Sequence, residues 1–374
     1  MMTQRIIFIV LAGALHFSAG VGAQDPTTKK TPNLRFFGFR PKFDTLAAKT
    51  MISVGGYADV CYLFDFRRPM DRSLPYFYSS NRHNQIALNL AYLSVSAESE
   101  RFKARVAPAL GTYMAANYAG EPEAFRYVLE ASAGARLAKG FWLEAGVLPS
   151  LYGYENAISF DQPTYTRSLS AENSPYYVSG AKASYQTSDG RAVIALYALN
   201  GWQNIARDVR FPAGGTQLVL NGKTFTFNWS TYLGDEQRIK GETSEIRFFN
   251  DLWFKYSPSE KFYLLGLFDA GTQRRDGANH SWWTVHAIAW AKMSRRWGAA
   301  LRGEAFTDPN GVAPLEAFDP QARFQLFGAS LNFDYRPIEN ILLRFETRLL
   351  EGYWPYEQGR KTTVRTAVSM AASF

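Results

Sequence analysis

The sequence predicts an all-β protein, a transmembrane up-and-down antiparallel β-barrel of about 16 strands. Three observations lead to this prediction. Apolar and polar residues alternate with a period of two along most of the chain. Short and long links between the alternating segments follow each other in strict succession, and aromatic residues, 16% of the chain, collect at segment ends. A soluble β-sandwich also alternates, but it requires neither an aromatic C-terminus nor the two link classes in strict succession.

The N-terminal segment has the pattern of a Sec signal peptide. Arg5 precedes an apolar stretch at 6–15, and the small-residue site Val21-Gly22-Ala23 follows it. We therefore expect residues 1–23 to be a signal peptide cleaved near Ala23. Residues 24–50 show no stable period and are interpreted as a periplasmic lead-in, and residues 51–374 as a single barrel domain.

The predicted strands are about 10 to 16 residues long, the length of tilted spanning strands. They begin near residues 51, 82, 101, 124, 141, 175, 191, 212, 223, 244, 261, 281, 296, 322, 340 and 361.

The predicted links form two classes, one for each rim of the barrel. Short links are expected at 98–100, 138–140, 188–191, 221–222, 257–260, 294–296 and 336–340. Long links are expected at 67–81, 118–123, 154–174, 204–211, 234–243, 272–280, 308–321 and 352–360. Short links belong to the periplasmic rim and long ones to the extracellular rim. Asn221-Gly222 predicts a two-residue hairpin, because such a turn favours positive φ at both positions.

Charged residues stay off the apolar face of the segments. In the first, Val54, Val60 and Tyr62 share one face, and Asp59 and Asp65 the other. This separation is required of a spanning strand, since Lys or Arg facing lipid at the bilayer midplane costs about 2–4 kcal/mol. Cys61, the single cysteine, falls on the polar face, where it is interpreted as a small filler residue and can form no intrachain disulfide.

The last segment alternates up to Phe374, which shares its apolar face with Met370 and Ala372. A strand that ends on an aromatic resembles the C-terminal signature by which outer-membrane barrels are recognised for insertion. We therefore expect Phe374 to act as an assembly signal for the barrel assembly machinery.

Several stretches resemble the OmpL-like β-barrel porin family of Gram-negative bacteria. They are Gly56-Tyr57-Ala58-Asp59, Glu100-Arg101-Phe102, Asn117-Tyr118-Ala119 with Glu121-Pro122, Trp142-Leu143-Glu144-Ala145-Gly146, Glu172-Asn173-Ser174-Pro175-Tyr176-Tyr177 and Asn200-Gly201-Trp202-Gln203. The resemblance extends from about Met51 to the end of the chain. It implies an outer-membrane barrel and porin without implying a substrate or a role for any residue.

The predicted size sets the expected function. Barrels of about 16 strands leave an aqueous channel, so we expect passive diffusion of small polar solutes across the outer membrane. The alternative is a non-conducting barrel that scaffolds a surface or secretion complex. Outer-membrane lipid is the expected partner, and a homotrimer is expected only by analogy with porins.

Other function classes have little support in the sequence. The histidines beyond the signal peptide, His83, His280 and His286, lie in no nucleophile and base pattern, so no enzyme is expected. No cofactor or metal motif is present, and Asp308-Pro309-Asn310-Gly311 is interpreted as a turn. The net charge of +8 comes without a basic cluster, so no nucleic-acid role is expected.

The longest internal link, 154–174, is the candidate constriction. It falls between the fifth and sixth strands, the position of the inward-folding loop of general porins, and an exposed surface loop is the alternative. Its charged and aromatic residues carry both signs and could set a field across a narrowed pore: Glu155, Asp161, Tyr165, Arg167 and Glu172.

The inward phase of the strands identifies candidate pore-lining residues. The basic ones are Lys103, Arg105, Arg136, Lys182, Arg247, Lys255, Arg302, Arg344, Arg348 and Arg365. The acidic ones are Asp59, Asp65, Glu130, Glu144, Asp251, Glu304 and Glu346. The excess of basic residues motivates the hypothesis of a weak anion preference. In the alternative interpretation these charges pair with one another across strands.

Overall fold

The computed structural model describes residues 50–74, 77–237, 244–313, 324–353 and 360–374. The predicted signal peptide, 1–23, and the lead-in up to residue 49 lie outside the described residues. The strands are β1 Met51–Asp65, β2 Ile86–Glu98, β3 Phe102–Leu110, β4 Val128–Ala138, β5 Phe141–Pro149, β6 Tyr177–Gln186, β7 Ala192–Leu199 and β8 Ala213–Asn221. The second half contains β9 Phe225–Asp235, β10 Ile246–Ser259, β11 Phe262–Arg275, β12 Ala278–Lys292, β13 Trp297–Asp308, β14 Phe324–Ile338, β15 Ile341–Gly352 and β16 Thr362–Ser373.

The strands form one closed antiparallel barrel in which each strand pairs with its neighbours in sequence. Closure is made by β1 and β16, which pair from Tyr57 with Ser373 to Asp65 with Arg365. The prediction of a 16-strand up-and-down barrel is therefore confirmed. Closure satisfies the backbone groups of every strand, which is the condition for a sheet to cross lipid.

Helical segments are short and lie in the links. They are α1 Thr112–Asn117 and α2 Leu169–Glu172, with single 3₁₀ turns at Glu123–Phe125 and Ser159–Asp161. No helix in the described ranges has the length and apolar character that a bilayer crossing requires.

The strand faces separate apolar from polar residues as the alternation predicts. On β16, Val368 and Met370 are about half exposed on the outer face, whereas Arg365 and Ser369 are buried on the inner face. Cys61 of β1 is likewise buried inside. The outward side chains are those that lipid would cover, so their exposure describes the lipid-facing surface.

Most predicted strand starts lie within three residues of the observed ones, and two observed strands begin later than predicted. The second strand begins at Ile86 instead of near 82, and the fourth at Val128 instead of near 124. The backbone explains both differences. The amide of His83 donates to the carbonyl of Arg72 within the preceding link, and residues 123–125 form a 3₁₀ turn.

Two predicted turns are wrong. The link expected at 272–280 is a tight turn of Asp276 and Gly277, both with positive φ, because the polar residues on either side of it continue the pairing of β11 with β12 up to Arg275 and Ala278. The Asn221-Gly222 hairpin is instead a three-residue link, 222–224, and neither residue of the pair has positive φ. The amide of Gly222 donates to the carbonyl of Phe225 at 2.6 Å.

Candidate functional site

The link between β5 and β6, residues 150–176, lies inside the barrel and is called the lumen loop here. Most of its residues from 162 to 176 are buried, among them Thr164, Tyr165 and Leu169. Its short helix α2 begins after Ser168, whose Oγ accepts a hydrogen bond from the amide of Ala171 at 3.2 Å. This N-cap satisfies a backbone donor that the turn would otherwise leave unpaired.

The first leg of the lumen loop is fixed to β9 and β10. The amide of Gly153 donates to the Asp251 carboxylate at 2.9 Å, and the Ser230 hydroxyl donates to the carbonyl of Leu151 at 2.8 Å. Gly153 has a φ of +72°, a conformation that favours glycine. The loop therefore turns against the inner wall directly after β5.

The middle of the lumen loop is held by charged side chains of β13 and β15. The Thr166 amide and hydroxyl donate to the Glu346 carboxylate at 2.6 and 2.8 Å. Arg302 donates to the Thr166 carbonyl at 2.6 Å and to the Thr164 hydroxyl at 2.9 Å. Arg344 donates to the carbonyls of Ser159 and Gln162. Hydrogen bonds of this kind, with one charged partner, are about twice as strong as neutral ones.

Glu304 joins the start of α2 to two arginines. Its Oε2 accepts the amide of Leu169 at 2.7 Å, and its Oε1 lies 2.7 Å from Arg348 and 3.4 Å from Arg302. All three charged side chains are enclosed. Because such a carboxylate compensates two buried cations, its removal would leave both without that partner.

The five loop residues singled out in the sequence have different surroundings. Glu155 accepts the amide of Ser168 at 3.2 Å, and Arg167 donates to the carbonyls of Asn156 and Tyr165 at 2.6 Å each. These contacts lie within the loop itself. Glu155, Tyr165, Arg167 and Glu172 are buried, whereas Asp161 is exposed.

Glu172 connects the lumen loop to the link between β1 and β2. Its carboxylate accepts the amide of Tyr78 at 2.7 Å. Burial raises the pKa of the Glu172 carboxyl to about 7, although the Tyr78 amide and the charges of Arg348 and Arg167 act in the opposite direction. This contact is therefore sensitive to protonation near neutral pH.

The predicted pore-lining residues fall into two groups. Those beneath or beside the lumen loop are buried: Arg247, Arg302, Glu304, Arg344, Glu346 and Arg348. Lys255 is partly buried and donates to the Tyr154 hydroxyl at 3.1 Å. The others, on β3, β4 and β6, have partly exposed side chains: Lys103, Arg105, Arg136 and Lys182.

Lys103, Arg105 and Lys182 of the second group form a charged ladder with Glu130 and Glu144 across β3 to β6. The Glu144 carboxylate lies 2.9 Å from the Lys103 ammonium and 3.4 Å from that of Lys182. Arg105 lies 2.9 Å from Glu130. The ladder lines a cavity of about 440 Å³.

Residues near the rim that carries the long links form a cluster for which the sequence analysis predicted no role. The rim clamp consists of Asn117, Glu121, Tyr176, Tyr177 and Gln203. Gln203 accepts the amide of Tyr176 at 2.6 Å and donates to Asn117 at 3.0 Å. Glu121 accepts the Tyr177 hydroxyl at 2.7 Å. These residues belong to three of the stretches that carry the family resemblance. That resemblance was the signal in the sequence that could have identified them.

The structure also brings together Ser170 and His286, a pair that the sequence separates by 116 residues. The hydroxyl and the ring Nδ1 lie 3.1 Å apart, and both side chains are buried between α2 and β12. A nucleophile must be reachable by its substrate, so this geometry fits an anchor of the loop. Within the described residues, no group of three or more potential metal ligands occurs.

Comparisons with known proteins agree with this architecture. The profile of a family described as "Putative beta-barrel porin-2, OmpL-like" matches residues 51–374. No curated protein matches the chain.

Solved structures with the same fold include three outer-membrane proteins. The anion-selective porin from Comamonas acidovorans is 10% identical, with a TM-score of 0.60 over 87% of this chain and 100% of its own. The outer membrane channel DcaP of Acinetobacter baumannii is 12% identical, with a TM-score of 0.60 over 91% and 100%. OmpT of Vibrio cholerae, in a trimer form, is 9% identical, with a TM-score of 0.61 over 87% and 100%. At these identities the likeness concerns the fold.

Proposed function

This chain belongs to the OmpL-like β-barrel porin-2 family, and from this premise we propose that it is a diffusion channel for small polar solutes constricted by residues 154–174. The protein is an outer-membrane porin. A barrel of about 16 strands encloses more space than its own wall side chains fill. We propose in addition the kind of solute, the constriction and the ion selectivity of the pore.

The proposed constriction is supported by the contacts between the lumen loop and the strands β13 and β15. Thr166 binds Glu346, which follows it by 180 residues, and Leu169 binds Glu304 across 135 residues. A segment tied to β13 and β15 after leaving β5 narrows the lumen along its course. Selectivity in such a pore depends on the side chains that border the remaining passage.

A weak anion preference is supported by the unequal exposure of the charged ladder. The side chains of Lys103 and Arg105 are 37% and 36% exposed, whereas their partners Glu144 and Glu130 are 11% and 16% exposed. A passing ion therefore meets cations more directly than carboxylates. The arginines under the lumen loop contribute less, because loop carbonyls and carboxylates surround them.

A non-conducting scaffold barrel is the second candidate. It is favoured by the burial of most of the lumen loop from 162 to 176, which fills part of the interior. The cavity beside the charged ladder favours conduction. The porin family and fold point to a channel and not to an enzyme, and we assign no catalytic role to the enclosed Ser170 and His286.

We also propose how the protein reaches the membrane and assembles there. It is exported through a signal peptide cleaved near Ala23 and is inserted by the barrel assembly machinery through the strand that contains Phe374. It then assembles as a homotrimer. A trimer form is known for the fold relative OmpT. Chemical crosslinking of the protein in outer-membrane vesicles tests the trimer, and N-terminal sequencing of the same material tests the cleavage.

Electrical recording tests the channel. The purified protein in planar lipid bilayers should show stepwise KCl conductance, and vesicles that contain it should swell in small sugars. The absence of both would contradict the channel and favour the scaffold. In a KCl gradient, the reversal potential should have the sign of anion selectivity, whereas the opposite sign would refute the anion preference alone.

A further inference from the structure

The lumen loop divides the interior of the barrel unequally. Its hydrogen bonds reach β1 and the wall from β8 to β15, as shown by Tyr57 with Ser159, Asp251 with Gly153 and Glu346 with Thr166. In the described part of the chain, no hydrogen bond joins the loop to the inner wall of β2, β3 or β4. Apolar residues of the loop do pack in one cluster with residues of β2 and β3. Free space remains beside the charged ladder, where the cavity of about 440 Å³ lies.

The cavity on this wall has charged groups of both signs. Its lining includes Lys103, Arg105 and Lys182 together with Glu98, Glu130 and Glu144. The formal charges balance, so the net charge of the lining does not decide which solute fits. The hydrogen-bonding capacity of the groups decides it instead.

The carboxylates of the ladder already have protein donors. Glu144 lies between two ammonium groups, and Glu130 receives Arg105 at 2.9 Å and the Ser132 hydroxyl at 3.3 Å. Each ammonium carries three N–H donors. Within the described residues, Lys103 and Lys182 each have only Glu144 as an ionic partner. The two lysines of the ladder thus have spare N–H donors.

The backbone preserves this arrangement at Gly134. Lys103, Gly134, Glu144 and Lys182 are successive partners across β3, β4, β5 and β6. A Cβ at position 134 would lie 2.8 Å from Cγ of Glu144 and 3.3 Å from Cε of Lys103. The missing side chain lets lysine and glutamate meet over β4, and it leaves the ammonium groups open to the cavity.

Neutral polar groups complete the lining. Ser96, Ser132 and Tyr197 contribute hydroxyls, and Gln217 contributes an amide. Hydroxyls can accept from a solute hydroxyl as well as donate to it. A ligand that matches the whole surface has a negative group for the lysines and hydroxyl groups for its surroundings.

We propose that the charged ladder is a binding site for small hydroxylated organic anions of the sugar-acid class, which use it as a station during permeation. This inference rests on the proposed channel function. The carboxylate of the solute takes the spare donors of Lys103 and Lys182. Glu144 limits the affinity by competing for both ammonium groups, so that a bound solute can leave again.

The test is solute-induced current interruption in planar bilayers, with gluconate as the probe. Single channels of the full-length protein should conduct KCl, and added gluconate should interrupt the current in a saturable manner. Replacing both lysines, Lys103→Gln with Lys182→Gln, removes two charged donors and should raise the half-blocking concentration about tenfold or more. Lys223→Gln is the matched control, since Lys223 is exposed on the short link between β8 and β9 and does not line the cavity.

A further variant, Glu144→Gln, distinguishes the loss of a binding site from structural damage. Glu144→Gln frees both lysines from competition and should lower the half-blocking concentration, the opposite direction from the lysine variants. Equal gluconate block in all four proteins, or conduction of KCl without any block, overturns the site while leaving the channel intact. A wild-type protein that conducts no KCl overturns the channel and the site together.

Discussion

The Glu121 carboxylate and the Tyr177 hydroxyl are 2.7 Å apart, and this hydrogen bond joins the link between β3 and β4 to the first residue of β6. The same carboxylate accepts the amides of Ile205 and Ala206, in the link between β7 and β8, at 2.7 and 3.2 Å. One buried side chain thus connects three consecutive segments of the long-link rim. Tyr177 directly follows the last residue of the lumen loop, so these hydrogen bonds hold the end of the loop.

Loss of this carboxylate should loosen the end of the lumen loop. We expect Glu121→Ala to lower the free energy of unfolding by about 2 kcal/mol, since three donors lose their buried acceptor. Current recordings should also show more frequent brief closures. Glu123→Ala, in an exposed neighbour on the same link, is the control. Unchanged unfolding in urea for Glu121→Ala would contradict the connecting role.

Glu304 should control how far the lumen loop enters the pore. Glu304→Ala removes the partner of the Leu169 amide and of two buried arginines, so we expect the loop to leave the wall. Single-channel KCl conductance should then rise or become variable. Glu339→Ala, on an exposed short turn, should keep the wild-type conductance. If both variants conduct alike, the loop does not set the constriction through Glu304.

Protonation of Glu172 should make the lumen loop more stable in acid. Its folded-state pKa of about 7 exceeds the ordinary value of 4.5, so the folded protein retains a proton that the unfolded chain has lost. The stabilisation is complete below about pH 4.5 and disappears as pH rises through 7. The charged groups that face it are Arg348 and Arg167.

The measurement is thermal unfolding at pH 5 and at pH 8, comparing wild type with Glu172→Gln. The amide imitates the protonated carboxyl, so the variant should exceed the wild type in stability at pH 8 and approach it at pH 5. A wild-type advantage that grows with pH would refute the direction of this effect.

Phe374 should act on assembly and not on transport. Its side chain is 73% exposed on the outer face, and its backbone pairs with Gly56 through hydrogen bonds of 3.0 and 3.1 Å. We expect Phe374→Ala to lower the amount of protein in the outer membrane while the conductance of each remaining channel stays unchanged. Met370→Ala, on the same face, controls for lost apolar surface. Wild-type membrane levels in Phe374→Ala would reject the assembly role.

The alternation of the sequence was sufficient to predict the barrel because lipid on one side and water on the other act on every strand. It failed at the turn between β11 and β12, where polar residues continue the strand pairing and polarity no longer marks a link. The hairpin at Asn221 was misjudged for a related reason, since the pairing of β8 with β9 determines the turn more than the local preference for positive φ does.

The site was less predictable than the wall. The inward phase gave the positions of Arg302 and Lys103 equally well, yet one is enclosed by the lumen loop and the other borders a cavity. That difference depends on loop contacts between residues more than 100 positions apart, such as Thr166 with Glu346. No period in a single sequence records such contacts.

The position of Cys61 gives the protein a native reporter of loop movement. This single thiol lies on β1 in the same buried cluster as Tyr165 and Leu169 of the lumen loop. A small water-soluble maleimide can reach it only while that cover is displaced. The labelling rate therefore measures how often the passage widens, and comparing wild type with Glu304→Ala would follow that motion without any engineered cysteine.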